Sequence, residues 1–436
     1  MATIKPFKAI RPNKYIVDKV AALPYDVMNS KEARRIAEGN PYSFLHIDKS
    51  EIDLDENIDL YDEKVYLKAR ENLYEFRKQE ILVKDDKECI YIYKQIMDGR
   101  AQVGIVACIS VDESLNGTIK KHEYTRPEKE IDRTKHIKYC DANTGTILVT
   151  YKHQRVIDDI INDFMDNNEP LYDFITDDKI EHTVWKIDSD DIIDNLVDKF
   201  EKLDYLYIAD GHHRTASAEN VAKEMRAKNP NYTGKEEFNY FIAMIAPDEN
   251  LMVLDYNRVI KDLNGLSEEE FINKIKENFE LEEIEGKEKY KPDKKGTFGM
   301  YLGDKWYKMK ANKNLLEIED PVDSLDISIL QDYVIDAILG IDNPRVDKRI
   351  DFIGGIRGLE ELEKRVNEDM KVAFAMYPTS IEDLIRVADA NKIMPAKSTW
   401  FEPKVRCGLF LHEINFKITF FINFFIIIIK YITILL

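Results

Sequence analysis

The sequence predicts an α+β protein, with mixed sheets and flanking helices. Three observations carry that prediction. Short apolar runs rich in Ile, Val, Tyr and Phe, such as ECIYIY, YLYIA and FNYFIAMIAP, read as buried strands. Stretches with apolar residues at helical spacing, such as 63–79 and 268–279, read as amphipathic helices. The two kinds mix without a regular strand–helix–strand rhythm, which argues against a wholly parallel α/β sheet.

The elements follow in chain order. AALPYDVMN (21–29) is an extended, proline-containing segment that delivers Tyr25 and Asp26. Ser30 is placed to cap the short helix KEARRIAE, which Gly39 ends. Val65, Leu67, Leu73 and Phe76 give 63–79 one apolar face. Two strands then flank Asp98-Gly99, a favoured hairpin pair. GTIKKHEYTRPEKEIDRTKH (117–136) reads as a polar loop, and 153–166 as a helix ending before Asn167 and Asn168. EHTVWKI (181–187) is a strand, and Ser189 opens a helix to Phe200. YLYIA (205–209) is a buried strand, and 214–228 is a helix ending before Asn229-Pro230. Beyond FNYFIAMIAP and the 268–279 helix, a hairpin is expected at Gly303-Asp304. A helix over 326–340 ends at Gly340, and a last strand (372–378) and helix (381–390) follow. Motif order divides the chain into regions 1–175, 176–345 and 346–412, with an apolar tail at 413–436.

Composition bounds the function. The chain carries 82 acids against 63 bases, a net charge of −19, which disfavours a nucleic-acid surface. Cys89, Cys108, Cys140 and Cys407 show no C-x-x-C spacing, so no zinc knuckle is expected, and the usage suits a reduced, cytoplasmic setting. MATIKPFKAIRPNK has no apolar signal core. The tail ITFFINFFIIIIKYITILL (418–436) approaches the length of a membrane span but places Lys430 inside it. It reads as an out-of-frame or read-through addition, with a membrane anchor and a buried terminal element as the alternatives. The oligomeric state is not legible.

The stretch YLYIADGHHRTASAENVAKEM (205–225) is the strongest local signal. A strand, an acid-glycine turn and a helix make an anion site. The first helical amides lack intrahelical partners, and the helix dipole places partial positive charge there. Gly211 permits positive φ. His212, His213 and Arg214 add donors, Thr215 adds a hydroxyl, and Asp210 is placed to hold a divalent cation or accept a proton. A capped helix with two surface histidines, or a metal bound by the His pair, are the competing readings.

With these residues the chain resembles the bacterial and archaeal family called domain of unknown function 1015, in which an ADGHHR motif stands mid-chain. Leu23-Pro24-Tyr25-Asp26-Val27 matches that family's P-P-Y-D-V segment, with Leu23 in place of a proline. His122-Glu123-Tyr124-Thr125 matches its H-E-x-T segment, and Met394 through Lys404 its M-P-x-K-S-T-W-F-x-P-K segment. The resemblance spans about residues 1–412, and the tail has no counterpart. DGHHR is also similar to a phosphate-binding motif of the ParB/sulfiredoxin superfamily, which includes archaeal free-serine kinases. That resemblance implies a ParB/sulfiredoxin-like strand–DGHHR–helix core and a small-molecule phosphotransferase.

The remaining constellations take roles within that reading. His122 and Glu123 read either as an acid/base pair or as part of a solvated loop, on a segment whose successive side chains point apart and so do not share a target. Arg126 and Arg133 would neutralise phosphate. Lys397, followed by Ser398 and Thr399, resembles the end of a P-loop, but no glycine-rich run precedes it. Trp400 and Phe401 read as packing residues, and the glycine pair in DFIGGIRG as a turn or a small anion nest. The expectation is transfer of a phosphoryl group from ATP or ADP, with Mg²⁺, to a small hydroxyl compound, best guess free L-serine. His212, His213 and Arg214 would hold the phosphoryl group and Asp210 the Mg²⁺. Glu123 or Asp26 would be the base. Gly211, Thr215, His122, Arg126, Arg133, Lys397, Ser398 and Thr399 would bind phosphate or substrate. A nucleotide-binding regulatory module without turnover and a metal-dependent hydrolase are the alternatives.

Overall fold

The computed structural model describes residues 1–286 and 288–414. The chain parts into two compact units. The first comprises Met1–Ile119, Thr125–Asn250 and the chain from Pro403; the second comprises Lys120–Tyr124 and Leu251–Glu402. The boundary read at residue 175 falls between two strands that pair with each other, Tyr172–Ile175 and Glu181–Ile187.

A nine-stranded sheet organises the first unit. From one edge its strands run Ile119–Lys120, Leu206–Asp210, Ile147–Tyr151, Tyr240–Pro247, Arg100–Ser110, Ile90–Met97, Glu181–Ile187 and Tyr172–Ile175, with Ile4–Lys5 added to Arg100–Ser110. The sheet is mixed: Tyr240–Pro247 runs parallel to Ile147–Tyr151 and antiparallel to Arg100–Ser110. Alternate residues fill one face, among them Ile90, Ile92, Ile105, Ala107, Ile109, Ile208, Phe241 and Ile245. The opposite face is covered as well. Tyr91 and Tyr93 are fully buried there, and the ring of Tyr91 lies 5.0 Å from that of Phe410. Strands buried on both sides explain why these segments are apolar throughout rather than alternating.

The second unit holds a six-stranded antiparallel sheet in the order Phe279–Glu283, Lys305–Ala311, Thr297–Leu302, Val372–Ala375, Tyr256–Ile260, Ile350–Gly354. The helix Gly358–Glu368 presents Leu362 to its core. Both expected hairpins form. Asp98 and Gly99 have φ of 51° and 77°, and Gly303 and Asp304 have 57° and 60°, the left-handed pairs that a two-residue turn needs.

Three local expectations are corrected. The polar stretch 117–136 is not all loop, because Pro127–Cys140 is a helix. Pro127 sits in its first turn with Glu128 and Glu130, and Asp132, His136, Ile137 and Cys140 are its buried residues. Two of those four, Asp132 and His136, are strongly polar, so the buried face did not look apolar. The helix Ser30–Ala37 is capped by Asn29, whose side chain accepts from Glu32 N–H in a capping box, and Ser30 is its first helical residue. The helix from Asp326 runs regularly only to Leu330; Gln331–Asp336 winds as a π-helix.

Glu413 and Ile414 belong to the fold. Glu413 pairs with Arg77 at 2.8 Å and Lys84 at 2.5 Å, and Ile414 is buried. The rest of the apolar tail, 415–436, lies outside the described residues. Among the described residues no helix is long and apolar enough to cross a membrane. All four cysteines are free and buried.

Candidate functional site

Within the first unit, the strand Leu206–Asp210 turns at Gly211 into the helix His212–Lys228. Gly211 has φ of +103°, where an L side chain is strained, and an added Cβ would lie 3.2 Å from the Arg214 guanidinium. Gly211 occupies the N-cap position, so no side chain caps this helix, and its first turn contains no acid. A 17-residue helix thus begins at a residue that offers no side-chain cap, beside a buried His212. Thr215 is fully buried, and its hydroxyl donates back to Gly211 C=O at 3.3 Å.

Two buried cations flank the turn. Lys404 Nζ lies 3.3 Å and Arg214 Nη2 3.8 Å from Asp210 Oδ2. Burial alone would raise the Asp210 carboxyl, but Lys404 and then Arg214 hold it well below the usual carboxylate range. Arg214 also donates through Nη1 to Thr146 C=O. Burial opposes its charge, and Asp26 and Asp210 more than offset that, so its guanidinium stays protonated. Lys404 is anchored through its backbone: Gln95 Nε2 donates to Lys404 C=O at 3.0 Å and Gln102 Nε2 to Gln95 Oε1 at 3.0 Å. These glutamines face each other across the central strands and are fully buried. His213, half-buried, accepts at Nδ1 from Arg126 N–H at 3.4 Å.

Adjoining Arg214 is a partly open cavity of about 20 Å³ lined by Tyr25, Asp48, Arg133, His136 and Thr144, among others. Arg133 comes from the helix Pro127–Cys140. Its Nε donates to Asp132 at 3.0 Å, its Nη1 to Asp48 C=O at 3.3 Å, and its guanidinium lies 4.2 Å from the Tyr25 ring centroid. Tyr25 is buried in the single 3₁₀ turn Tyr25–Val27, while neighbouring Asp26 is exposed. Burial also lowers the His136 imidazole, whose Nε2 meets Ile47 C=O at 3.0 Å. The first unit therefore gathers Asp26, Arg126, Arg133 and Asp210–Thr215 from the expected set. Lys404, Asp48, His136 and Thr144 were not expected. Lys404 closes the KSTWFEPK motif, which was the one available signal; HIDKS around Asp48 offers none.

A model of the family described as "Protein of unknown function (DUF1015)" matches residues 4–328. The chain belongs to this family. Comparison with curated proteins gives no match. Among solved structures, the chain is similar to a free serine kinase in complex with AMP at 14% identity and TM-score 0.34, covering 68% of this chain and 86% of that one. It is similar to C-terminally truncated SbnI from Staphylococcus aureus at 12% identity and TM-score 0.37, covering 69% and 84%. A conserved hypothetical protein from Pyrococcus furiosus gives 14% identity and TM-score 0.33, covering 70% and 95%.

The other expected residues of this DUF1015 protein belong to its second unit. The DUF1015 match ends before Met394–Lys404. His122 C=O accepts from Met394 N–H at 2.8 Å, which ties the segment holding His122 and Glu123 to the KSTW segment. Lys397 adopts a left-handed φ of 61°; its C=O accepts from Arg258 at 2.8 Å, and its Nζ lies 5.5 Å from the Tyr256 ring. Ser398 spends its hydroxyl proton on Pro395 C=O at 2.6 Å, and its own C=O accepts from Thr379 Oγ1 at 2.9 Å, an arrangement that shapes the loop up to Thr399. Trp400 packs edge-on against Tyr256, with centroids 5.1 Å apart, as a packing residue should. Gly354 is required by that packing, since an added Cβ would meet the Trp400 ring at 2.7 Å.

Proposed function

We propose that this chain is a phosphotransferase that moves a phosphoryl group from a nucleotide to a small hydroxyl-bearing metabolite, free L-serine being the best guess. One observation carries the reading: a long helix starts at Gly211, a glycine in left-handed conformation, with buried Lys404 and Arg214 beside the turn. Such a start binds phosphate oxygens. Phosphoryl transfer needs chiefly positioning and charge neutralisation, which is what these groups offer. The amides after Gly211, with His212 and His213, hold the transferring group. Thr215 bonds back to the turn at Gly211 C=O, Arg126 adds charge beside His213, and Arg133 adds charge in the adjoining cavity. Lys397, Ser398, Thr399 and His122 are assigned to the nucleotide or acceptor.

Asp210 is the acid at the turn suited to Mg²⁺. Both Lys404 and Arg214 sit on its Oδ2, so the ion fits only together with phosphate oxygens that offset those cations. When bound, Mg²⁺ supplies neutralisation of the phosphate charge. The acceptor's hydroxyl proton passes to Asp26 or Glu123 as its oxygen forms the new O–P bond and the bond to the nucleotide breaks. Asp26 is exposed, as a base that meets substrate must be. A cytoplasmic location accords with a nucleotide donor.

One observation favours the second reading, a nucleotide-binding regulatory module. Asp210 is already engaged by two cations, which suits a static anion clamp as well as a catalyst. A transfer screen separates the two. The full chain is incubated with ATP, ADP or pyrophosphate and a panel of amino acids and small alcohols, and phosphorylated product is read by mass spectrometry. Nucleotide binding with no product from any pair would replace the phosphotransferase by the module.

A further inference from the structure

The cavity beside Arg214 has a charge pattern that a plain anion site would not need. Arg214 and Arg133 line it as cations, and Asp48 lines it as a carboxylate. Two buried atoms of opposite kind make no hydrogen bond of normal geometry: Arg214 Nε, an N–H donor, and Asp48 Oδ2, an acceptor on a carboxylate that has only the weak-donor thiol of Cys407 beside it as well as its Oδ1 partners. Asp48 is 3% exposed; its Oδ1 takes the Thr144 hydroxyl at 3.1 Å, and Arg133 Nη1 stands 3.8 Å from the same oxygen. Orphaned buried polar groups are rare in folded proteins and point to a missing partner. Here one missing partner must donate and the other accept.

A ligand that is only anionic would set its charge against Asp48. One that is only cationic would face two guanidinium groups. A compact zwitterion satisfies both walls, its ammonium donating to Asp48 Oδ2 and its carboxylate accepting from Arg214 Nε. We propose that this cavity binds the headgroup of a free α-amino acid. The cavity is partly open, so the side chain of such a ligand extends toward the mouth. Ile137, Ile147 and Phe241 add apolar wall, and Asn143, whose Nδ2 meets His412 Nδ1 at 3.3 Å, lines the cavity as well. The inference rests on the phosphotransfer reading for its biological sense, since it makes the headgroup that of the acceptor. The binding itself does not depend on turnover.

The test uses the full chain without nucleotide and four probes: glycine, L-serine, glycolate, which lacks the ammonium, and ethanolamine, which lacks the carboxylate. Affinities are read by calorimetry. Glycine and L-serine should bind, and glycolate and ethanolamine should bind at least about tenfold more weakly, because each leaves either Asp48 Oδ2 or Arg214 Nε without its hydrogen bond. Asp48→Asn should lower glycine affinity by about tenfold or more and narrow the gap to glycolate. No glycine binding, or glycolate or ethanolamine binding as well as glycine, would overturn the proposal. If Asp48→Asn does not fold, the four-probe series on the natural chain decides alone. Selective glycine binding without phosphoryl transfer would sink the enzyme reading and leave this one standing. Transfer confined to acceptors that are not zwitterions would do the reverse.

Discussion

Replacing Lys404 by Met should loosen the first unit by removing the nearest cation from Asp210. The side chains have similar length, so the change removes charge and little volume. Breaking a buried ion pair by deleting one partner costs about 3–5 kcal/mol. Two facts reduce that here. The Asp210 side chain is 30% exposed, and Arg214 remains at 3.8 Å. We therefore expect a loss of about 1–3 kcal/mol at pH 7. The sign of the pH dependence follows from the depressed Asp210 carboxyl. A group whose folded pKa lies below its unfolded value contributes stability above the unfolded pKa and loses it as pH falls through the folded value. The gap between Lys404→Met and the natural chain should therefore narrow below about pH 4. The assay is urea unfolding followed by tryptophan fluorescence. Trp306 and Trp400 lie in the second unit, so their replacement by Phe leaves Trp185 to report on the first alone. Asp210→Asn and the double variant complete a cycle, and coupling indistinguishable from zero would refute the pairing and with it the electrostatic account of the turn.

Three further outcomes are expected. Gln95→Leu removes the donor to Lys404 C=O and leaves the Gln102 amide with Pro403 C=O at 3.4 Å, so the same fluorescence assay should show a loss of about 1–3 kcal/mol; an unchanged midpoint would mean that Lys404 is held by other means. Gly211→Ala forces a side chain into φ +103° and against Arg214, costing about 1–2 kcal/mol or more, and it should also weaken pyrophosphate binding in a competition assay; equal stability and equal binding would count against the turn as a phosphate cradle. In the second unit, burial pushes the Asp326 carboxyl up to about 7, although both of its oxygens accept from Gly296 N–H at 3.0 and 2.9 Å. A raised acid contributes most when protonated, so stability of this unit should fall as pH rises from about 4 to about 7 and then level off. Asp326→Asn should flatten that profile, with Trp306 fluorescence as the readout, and a slope that persists in the variant would assign it elsewhere.

The sequence by itself determined whatever depends on neighbours along the chain. The strand–Gly211–helix turn is legible because an apolar run, a glycine and a helical stretch are adjacent and each acts locally. The two hairpins are legible because Asp-Gly and Gly-Asp tolerate left-handed φ wherever they stand. The α+β class follows from the same local periodicities. The helix Pro127–Cys140 was missed because two of its buried residues, Asp132 and His136, are strongly polar, and partners distant in sequence help to permit their burial: Tyr66, together with the adjacent Arg133, for Asp132, and Ile47 C=O for His136. Tertiary structure alone decided that Tyr25, Asp48, Arg133, Thr144 and Arg214 surround one cavity, and that Lys404 reaches Asp210 from 194 residues away. No local propensity encodes that convergence. It comes from burying both faces of a nine-stranded sheet at once, which brings the 403–411 segment against Tyr91, Tyr93 and Gln95 and leaves the charged residues trapped there to find one another.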